Sequence, residues 1–280
     1  MWRQLAETAT LSRDLKLPRL ARRLLRDRYP ELCVKSPADT RVAYFHGCAA
    51  HYFDDGVGDA VIEILRRYGL EPALPPQRCS GTPIETYGHR PLAKEGARVN
   101  LRHLESYDLV VTSCASCTLA LKDYAAWFAG EPEQVSAERL ARKVKHITEI
   151  VAERGITVEP SGIRDSRVRV TYHSSCHLRA AGVTKAPRQV LSMLPGIEFV
   201  DMRDAERCAG GAGTYVVKDY ATSQKIFQRK RQAIQESGAE VVATSCPACM
   251  IQLNTGLNGA VTVKHVAQLV QEAYARTEAR

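Results

Sequence analysis

The chain repeats itself, and that constrains it more than any other feature. A segment from Arg41 reads RVAYFHGC, a helical stretch, RCSG, a second helical stretch and DLVVTSCASCTLAL. A segment from Arg167 runs in the same order: RVRVTYHSSC, a helical stretch, RCAGGAG, another helical stretch and AEVVATSCPACMIQL. The cysteines pair as Cys48 with Cys176, Cys79 with Cys208, Cys114 with Cys246 and Cys117 with Cys249, at offsets of 128, 129, 132 and 132 residues. Offsets this even mean a duplicated unit with small loop insertions, so any fold must build one unit twice. Cys33 precedes the first unit, has no counterpart, and reads as a structural or incidental thiol.

Each unit alternates strand and helix. Val42 to Phe45, Leu109 to Thr112, Val168 to Tyr172 and Val241 to Thr244 are short β-branched and aromatic runs, and each ends just before a cysteine. The stretches 57–68, 92–104, 186–194 and 221–237 carry apolar residues at three- and four-residue spacing. The expected fold class is therefore α/β: two duplicated domains, each a small mostly parallel sheet flanked by helices. Such sheets place ligands at the C-terminal ends of their strands, where the cysteines would gather. The expected organisation is a basic helical arm over 1–40, a first cysteine-rich domain over 41–155 and a second over 166–280. The polar segment 130–166, with a helix-like stretch over 137–153, reads as the boundary. The arm carries Leu at 5, 11, 15, 17, 20, 24 and 25, interrupted by Pro18. It reads as a helix packed on the body with a solvated Arg face, or as a docking surface for a partner or anionic lipid.

With 280 residues the chain can close two ordinary cores. No apolar run approaches a membrane span and the Arg-rich first thirty residues lack a secretory apolar stretch, so a cytoplasmic protein is expected, peripheral at the cytoplasmic face of the membrane if the arm docks there. Nine cysteines are too sparse for a disulfide scaffold and read as thiolate ligands or free thiols. The formal charge of +8 suits nucleic acid, an anionic membrane or an acidic partner. Nucleic acid is disfavoured because no recognised binding motif accompanies it.

Four thiols per unit, two isolated and two in a C-x-x-C that opens a helix, suit a four-thiolate inorganic centre. Backbone N–H groups at the helix start can bond the sulfurs, and the helix end favours negative charge. Tetrathiolate zinc satisfies the same pattern, and a lone C-x-x-C also suits a dithiol. Two such pairs, each with two further cysteines at matched offsets, favour ligands. Gly81, Gly210, Gly211 and Gly213 permit tight turns beside the cysteines, but the Lys-Ser/Thr ending of a phosphate loop is missing. His46, His173 and His177 lie near Cys48 or Cys176 and read as supporting groups before ligands. His51, His89, His103, His146 and His265 show no pattern and read as surface or core residues. No Ser-His-Asp set or carboxylate pair argues for acid-base catalysis.

The order C-x(30)-C-S-G-x(32)-C-x-x-C, then C-x(31)-C-A-G-x(35)-C-x-x-C, resembles the duplicated cysteine-rich CCG domain of heterodisulfide reductases and of iron-sulfur subunits of flavin dehydrogenases. VAYFHGC, SCTLALKDY, CHLRAAG and ESGAEVVATSCPAC carry the likeness, over roughly residues 41–270. The dehydrogenase-type members usually begin with a ferredoxin domain that is not present here. The Cys-Cys-Gly signature also reads Cys79-Ser80-Gly81 and Cys208-Ala209-Gly210, so each half lacks the fifth cysteine that holds a noncubane cluster in heterodisulfide reductases.

The resemblance thus implies an iron-sulfur electron-transfer subunit with two 4Fe-4S clusters. Cys48, Cys79, Cys114 and Cys117 would hold one, and Cys176, Cys208, Cys246 and Cys249 the other, with zinc in one or both sites as the rival. It implies as partners a flavin-containing dehydrogenase of the glycerol 3-phosphate or 2-hydroxy acid type, and a separate ferredoxin-like or membrane subunit toward quinone or another carrier. A heterodisulfide reductase-like catalyst and a non-catalytic metal scaffold are the alternatives.

Overall fold

The computed structural model describes residues 16, 18–53, 56–156, 167–211 and 215–278. The first half runs β1 (Val42–Phe45), α1 (Gly47–Tyr52), α2 (Val57–Arg67), α3 (Arg90–Leu104), β2 (Leu109–Thr112), α4 (Ala115–Trp127), α5 (Gln134–Lys143), β3 (Val144–His146) and α6 (Ile147–Arg154). The second runs β4 (Val168–His173), α7 (Cys176–Ala180), α8 (Ala186–Met193), β5 (Ile197–Phe199), α9 (Tyr220–Glu236), β6 (Val241–Thr244), α10 (Pro247–Leu257), β7 (Thr262–His265) and α11 (Val266–Glu278). Short helical turns at Leu25–Arg28, Pro30–Cys33, Thr82–Thr86 and Tyr215–Lys218 complete the described helices.

Both sheets are parallel, in the orders β1-β2-β3 and β5-β4-β6-β7. Ala73 adds a single parallel bridge beside β1, with Tyr44 N donating to Ala73 O at 2.9 Å, where β5 lies beside β4. The two sheets therefore share one topology. β1 and β6 are buried along their whole length, as parallel strands covered on both faces must be. α2 buries Val57, Ala60, Val61, Ile64 and Leu65 on one stripe and turns Arg66 and Arg67 outward.

One apolar core joins the halves: Tyr44, Val61, Ile64 and Val151 share it with Val170, Tyr172, Val190, Val270 and Tyr274. α2 packs on α11, and α6 packs on α8. Since α2 and α8 follow the first cysteine of each unit and α6 and α11 close each unit, these contacts are reciprocal. The halves are thus related by a pseudo-two-fold axis, and residues near it meet their own counterparts.

Two expectations need correction. The stretch 137–153 is not one helical linker, because Val144–His146 forms an edge strand between α5 and α6. The arm is helical only at Leu25–Arg28 and Pro30–Cys33 among the described residues. Leu25 and Leu32 are fully buried there, whereas Leu20 is exposed. Leu5, Leu11, Leu15 and Leu17 lie outside the described residues.

Candidate metal centre

Six of the eight paired cysteines follow the C-terminal ends of the parallel strands β1, β2, β4 and β6. Cys48 lies on α1 after β1, and Cys176 opens α7 after β4. Cys114 follows β2 in extended backbone and precedes the first residue of α4; Cys246 does the same after β6, ahead of Pro247 at the start of α10. The proline suits that position, since its missing N–H has no intrahelical partner there anyway. Cys117 and Cys249 sit one turn in, so each C-x-x-C presents two sulfurs from one helix start. Cys79 and Cys208 come from the loops before α3 and α9. None of these cysteines is in a disulfide.

In the first half the Cys48 thiol hydrogen-bonds to Cys79, and Cys117 lies within electrostatic reach of Cys48. Gly47 makes that approach possible. Its φ is +67°, and a β-carbon there would stand 2.9 Å from Cys117 Sγ. The bond from Cys48 pulls Cys79 down to about 6, helped by the Gly81 backbone N–H and the Ser80 hydroxyl. Ser80 therefore acts as a donor to Cys79. The same bond holds Cys48 protonated far above the ordinary thiol range.

In the second half Cys246 accepts hydrogen bonds from Cys114 first and Cys249 second, and from the backbone N–H groups of Cys249 and Ala248, which drive it well below the usual thiol range. Cys249 is correspondingly raised by its bond to Cys246. Cys176 is raised chiefly by burial and then by Cys208 and Cys246. Gly210 N donates to Cys208 Sγ at 3.3 Å. Ala209 is buried and offers no donor atom.

Cys114 and Cys246 thus meet each other, one from each half, so the two cysteine sites adjoin at the pseudo-dyad. Among the described residues no three His, Cys, Asp or Glu side chains already surround a single ion-sized point. The donor chemistry nevertheless fits a sulfur-ligated cluster: four thiols per half, paired N–H-rich helix starts, and a glycine that leaves room for Cys117.

Histidines make the dyad. His146 and His265 are fully buried, with ring centroids 6.2 Å apart. Thr148 N donates to His146 Nδ1 at 3.2 Å and Ala267 N donates to His265 Nδ1 at 3.1 Å, which places the proton on each Nε2. His265 Nε2 then donates to Ser113 O at 2.9 Å, across the halves and one residue from Cys114. Ala115 N returns the link by donating to Ser245 O at 3.2 Å. Tyr44 pairs with Ser113 Oγ at 2.7 Å. Burial lowers His146 to about 3 and His265 to about 4.

These two histidines do follow a pattern, contrary to the sequence reading. Val144-Lys145-His146 precedes Glu149, and Val263-Lys264-His265 precedes Gln268. His146 N donates to Glu149 Oε2 at 2.8 Å and His265 N to Gln268 Oε1 at 2.7 Å, closing a capping box at each helix start. Of the nearer histidines, His46 Nδ1 donates to Gly47 O at 2.8 Å, His173 is buried, and His177 Nδ1 bonds to Ser116 Oγ at 2.7 Å between the halves. Cys33 stays apart, in contact with Arg26 and Tyr29.

Fold and site together define a duplicated α/β protein that lines adjoining thiol sites along the edges of two parallel sheets. The chain belongs to the CCG cysteine-rich domain family, whose model matches residues 42–122 and 170–254. It is 32% identical over 236 residues to Lactate utilization protein A of Geobacillus kaustophilus, covering 82% of this chain and 98% of that protein. It is 31% identical over 242 residues to a fumarate reductase (CoM/CoB) subunit of Methanothermobacter marburgensis, and 31% over 247 residues to the probable glycolate oxidase iron-sulfur subunit of Bacillus subtilis. These matches cover 84% and 85% of this chain but only 47% and 55% of those proteins, so the chain spans about half their length. Among the described residues no helix is long and apolar enough to cross a membrane.

Proposed function

We propose that this chain is the iron-sulfur subunit of an oxidoreductase and relays electrons between a flavin-containing dehydrogenase and a second carrier. Cys48, Cys79, Cys114 and Cys117 hold one 4Fe-4S cluster, and Cys176, Cys208, Cys246 and Cys249 hold the other. The observation that carries this reading is the meeting of Cys114 and Cys246 at the pseudo-dyad, which makes neighbours of the two sites. A bound cluster supplies one-electron acceptance and donation without proton chemistry of its own. The protein's part is to orient and screen. The helix start of α10 turns N–H groups toward Cys246, Ser80 donates to Cys79, and the His265 ring fixes the turn that presents Cys114.

Relatives named for lactate and glycolate, both 2-hydroxy acids, favour that substrate class over glycerol 3-phosphate for the partner. With Ser80 and Ala209 at the places of the family's second cysteine, four ligands per half favour a relay over disulfide cleavage. The test is anaerobic purification followed by iron, sulfide and zinc determination, with paramagnetic resonance after dithionite reduction. About eight iron atoms per chain are expected, four for each cubane. Colourless protein carrying zinc, or a spectrum of a noncubane centre, overturns the assignment.

A further inference from the structure

The two cysteine sites are built alike, but two positions beside them differ in charge. On α1 and α7 burial matches residue for residue at an offset of 128: Gly47 with Ser175, Cys48 with Cys176, Ala50 with Leu178, and so His51 with Arg179. On α3 and α9 it matches at 130: Ala93 with Ser223, Ala97 with Phe227, Leu104 with Ile234, and so the fully buried Asn100 with Lys230, which is 2% exposed. Hydrogen bonds agree with the second pairing. Asn100 holds the loop of Cys79, accepting from Arg78 N at 2.8 Å and donating to Cys79 O at 3.4 Å. Lys230 Nζ holds the loop of Cys208, donating to Asp204 O at 2.6 Å and Ala205 O at 3.2 Å.

Both positions are neutral in the first half and cationic in the second. Asn100 carries no charge, and His51, lowered from its ordinary value by burial first and by Arg26 second, is neutral at pH 7. Arg179 is always charged. It donates to Glu206 O at 2.9 Å, the Glu206 carboxylate is taken by Arg188 at 2.7 Å, and no carboxylate pairs with Arg179 among the described residues. Lys230 is lowered by burial to about 8 and stays protonated at pH 7. Asp204, the carboxylate that acts on it most, pairs with Arg207 at 3.3 Å on the exposed surface. Both cations reach sulfur: Arg179 acts on Cys176, and Lys230 on Cys208 and Cys249. The chief influences on Cys48 and Cys79 are burial, their own hydrogen bond, Cys117, Gly81 N–H and Ser80, none of them cationic.

A cluster that gains an electron becomes more negative, so a nearby cation favours its reduced state, and burial keeps salt and water from screening Lys230. Ser80 works the other way, since its hydroxyl donates to Cys79 while Ala209 in the same place offers no donor. One neutral dipole is outweighed by two full charges. We propose that Arg179 and Lys230 set the second-half cluster at a higher reduction potential than the first. One electron then leaves the reduced first-half cluster and comes to rest on the second-half cluster across the meeting of Cys114 and Cys246, with no bond broken and no proton moved. The dehydrogenase accordingly delivers to the first half and the carrier draws from the second. The inference rests on the relay reading for the clusters, whereas the charge difference belongs to the chain itself.

The experiment is a potentiometric titration of the full chain at pH 7, purified anaerobically and followed by paramagnetic resonance, with iron content and melting temperature measured on the same samples. Cys79→Ser and Cys208→Ser variants, each deprived of one cluster, assign the two signals. The second-half cluster should be reduced first. Arg179→Gln and Lys230→Met should each lower its potential and leave the first-half potential where it was. Combined, they should cut its reduced-to-oxidised ratio at fixed potential by about tenfold or more, which is about 59 mV for a one-electron centre. Arg179→Lys should keep the natural value, and His51→Arg should raise the first-half cluster. A merely structural role would change melting temperature or iron content and leave the potential of the iron that remains unmoved. If Lys230→Met loses its cluster, Arg179→Gln on the half-buried face of α7 carries the test. Equal potentials, a first-half cluster reduced first, or potentials that the charge variants do not move overturn the inference and leave the relay standing. Protein without iron overturns both.

Discussion

Acid should loosen the pseudo-dyad before it touches the rest of the core. His146 and His265 ionise near 6.5 when unfolded and near 3 and 4 when folded, chiefly because burial penalises the imidazolium, with the two rings repelling each other as a further cause for His146. A folded pKa below the unfolded one means that the unfolded chain binds more protons. Stability is then intact above about 6.5 and is lost as pH falls toward the folded values. At pH 5 each histidine costs roughly 2 kcal/mol relative to neutral pH, and the pair about 4 kcal/mol. His46 and His173, both lowered by burial to about 3, add to the same slope. Urea unfolding from pH 7.5 to 5, followed anaerobically by circular dichroism at matched iron content, measures the slope. A His146→Gln/His265→Gln variant should begin less stable, because two caps and the bond to Ser113 are altered, yet lose about 4 kcal/mol less across that range. An unchanged slope in the variant would refute the claim that these rings are buried neutral at the axis.

Two further substitutions probe how each cysteine loop is held. Gly47→Ala places a residue at φ +67° and a β-carbon 2.9 Å from Cys117 Sγ; the backbone strain alone is about 1–2 kcal/mol, and loss of the first half's iron, about four atoms, is expected by metal determination. Full iron content in that variant would show that Cys117 needs no such clearance. Lys230→Met removes the ammonium that ties Asp204 O at 2.6 Å and Ala205 O at 3.2 Å, in a loop where Asp204 sits at φ +54°. Leaving those carbonyls without a partner should cost about 1–3 kcal/mol, read as a lower melting temperature, and an unchanged melt would mean that water replaces the ammonium at no cost.

The strands and helices that flank the cysteines were legible because their periodicity is long or their β-branched runs are tight. Val42–Phe45, Leu109–Thr112 and Val241–Thr244 lie where the pattern put them, and α2, α3, α8 and α9 differ by at most two residues at either end. What escaped were the edge strands. β3 and β5 have three residues each, and β7, with four, follows its two β-branched residues with Lys264 and His265, so none shows an unbroken apolar run. β3 and β7 did leave a trace in the paired V-K-H-x-x-E/Q segments, but their offset of 119 departs from that of the sulfurs and hides the correspondence. The contact between Cys114 and Cys246 could not be read at all. It depends on how the two halves pack, and that follows from the reciprocal seating of α2 on α11 and α6 on α8, which local pattern does not encode.

The departures from symmetry are as informative as the symmetry. Near the axis the duplicated residues meet their own counterparts, so Ser113 and Ser245, His146 and His265, and Cys114 and Cys246 are each constrained by both halves at once. Far from the axis nothing enforces equivalence, and there the units diverge: α5 stands between α4 and β3 in the first half, while a turn at Gly259 alone joins α10 to β7 in the second. A change at the axis must preserve two sites, whereas a change at the rim alters one.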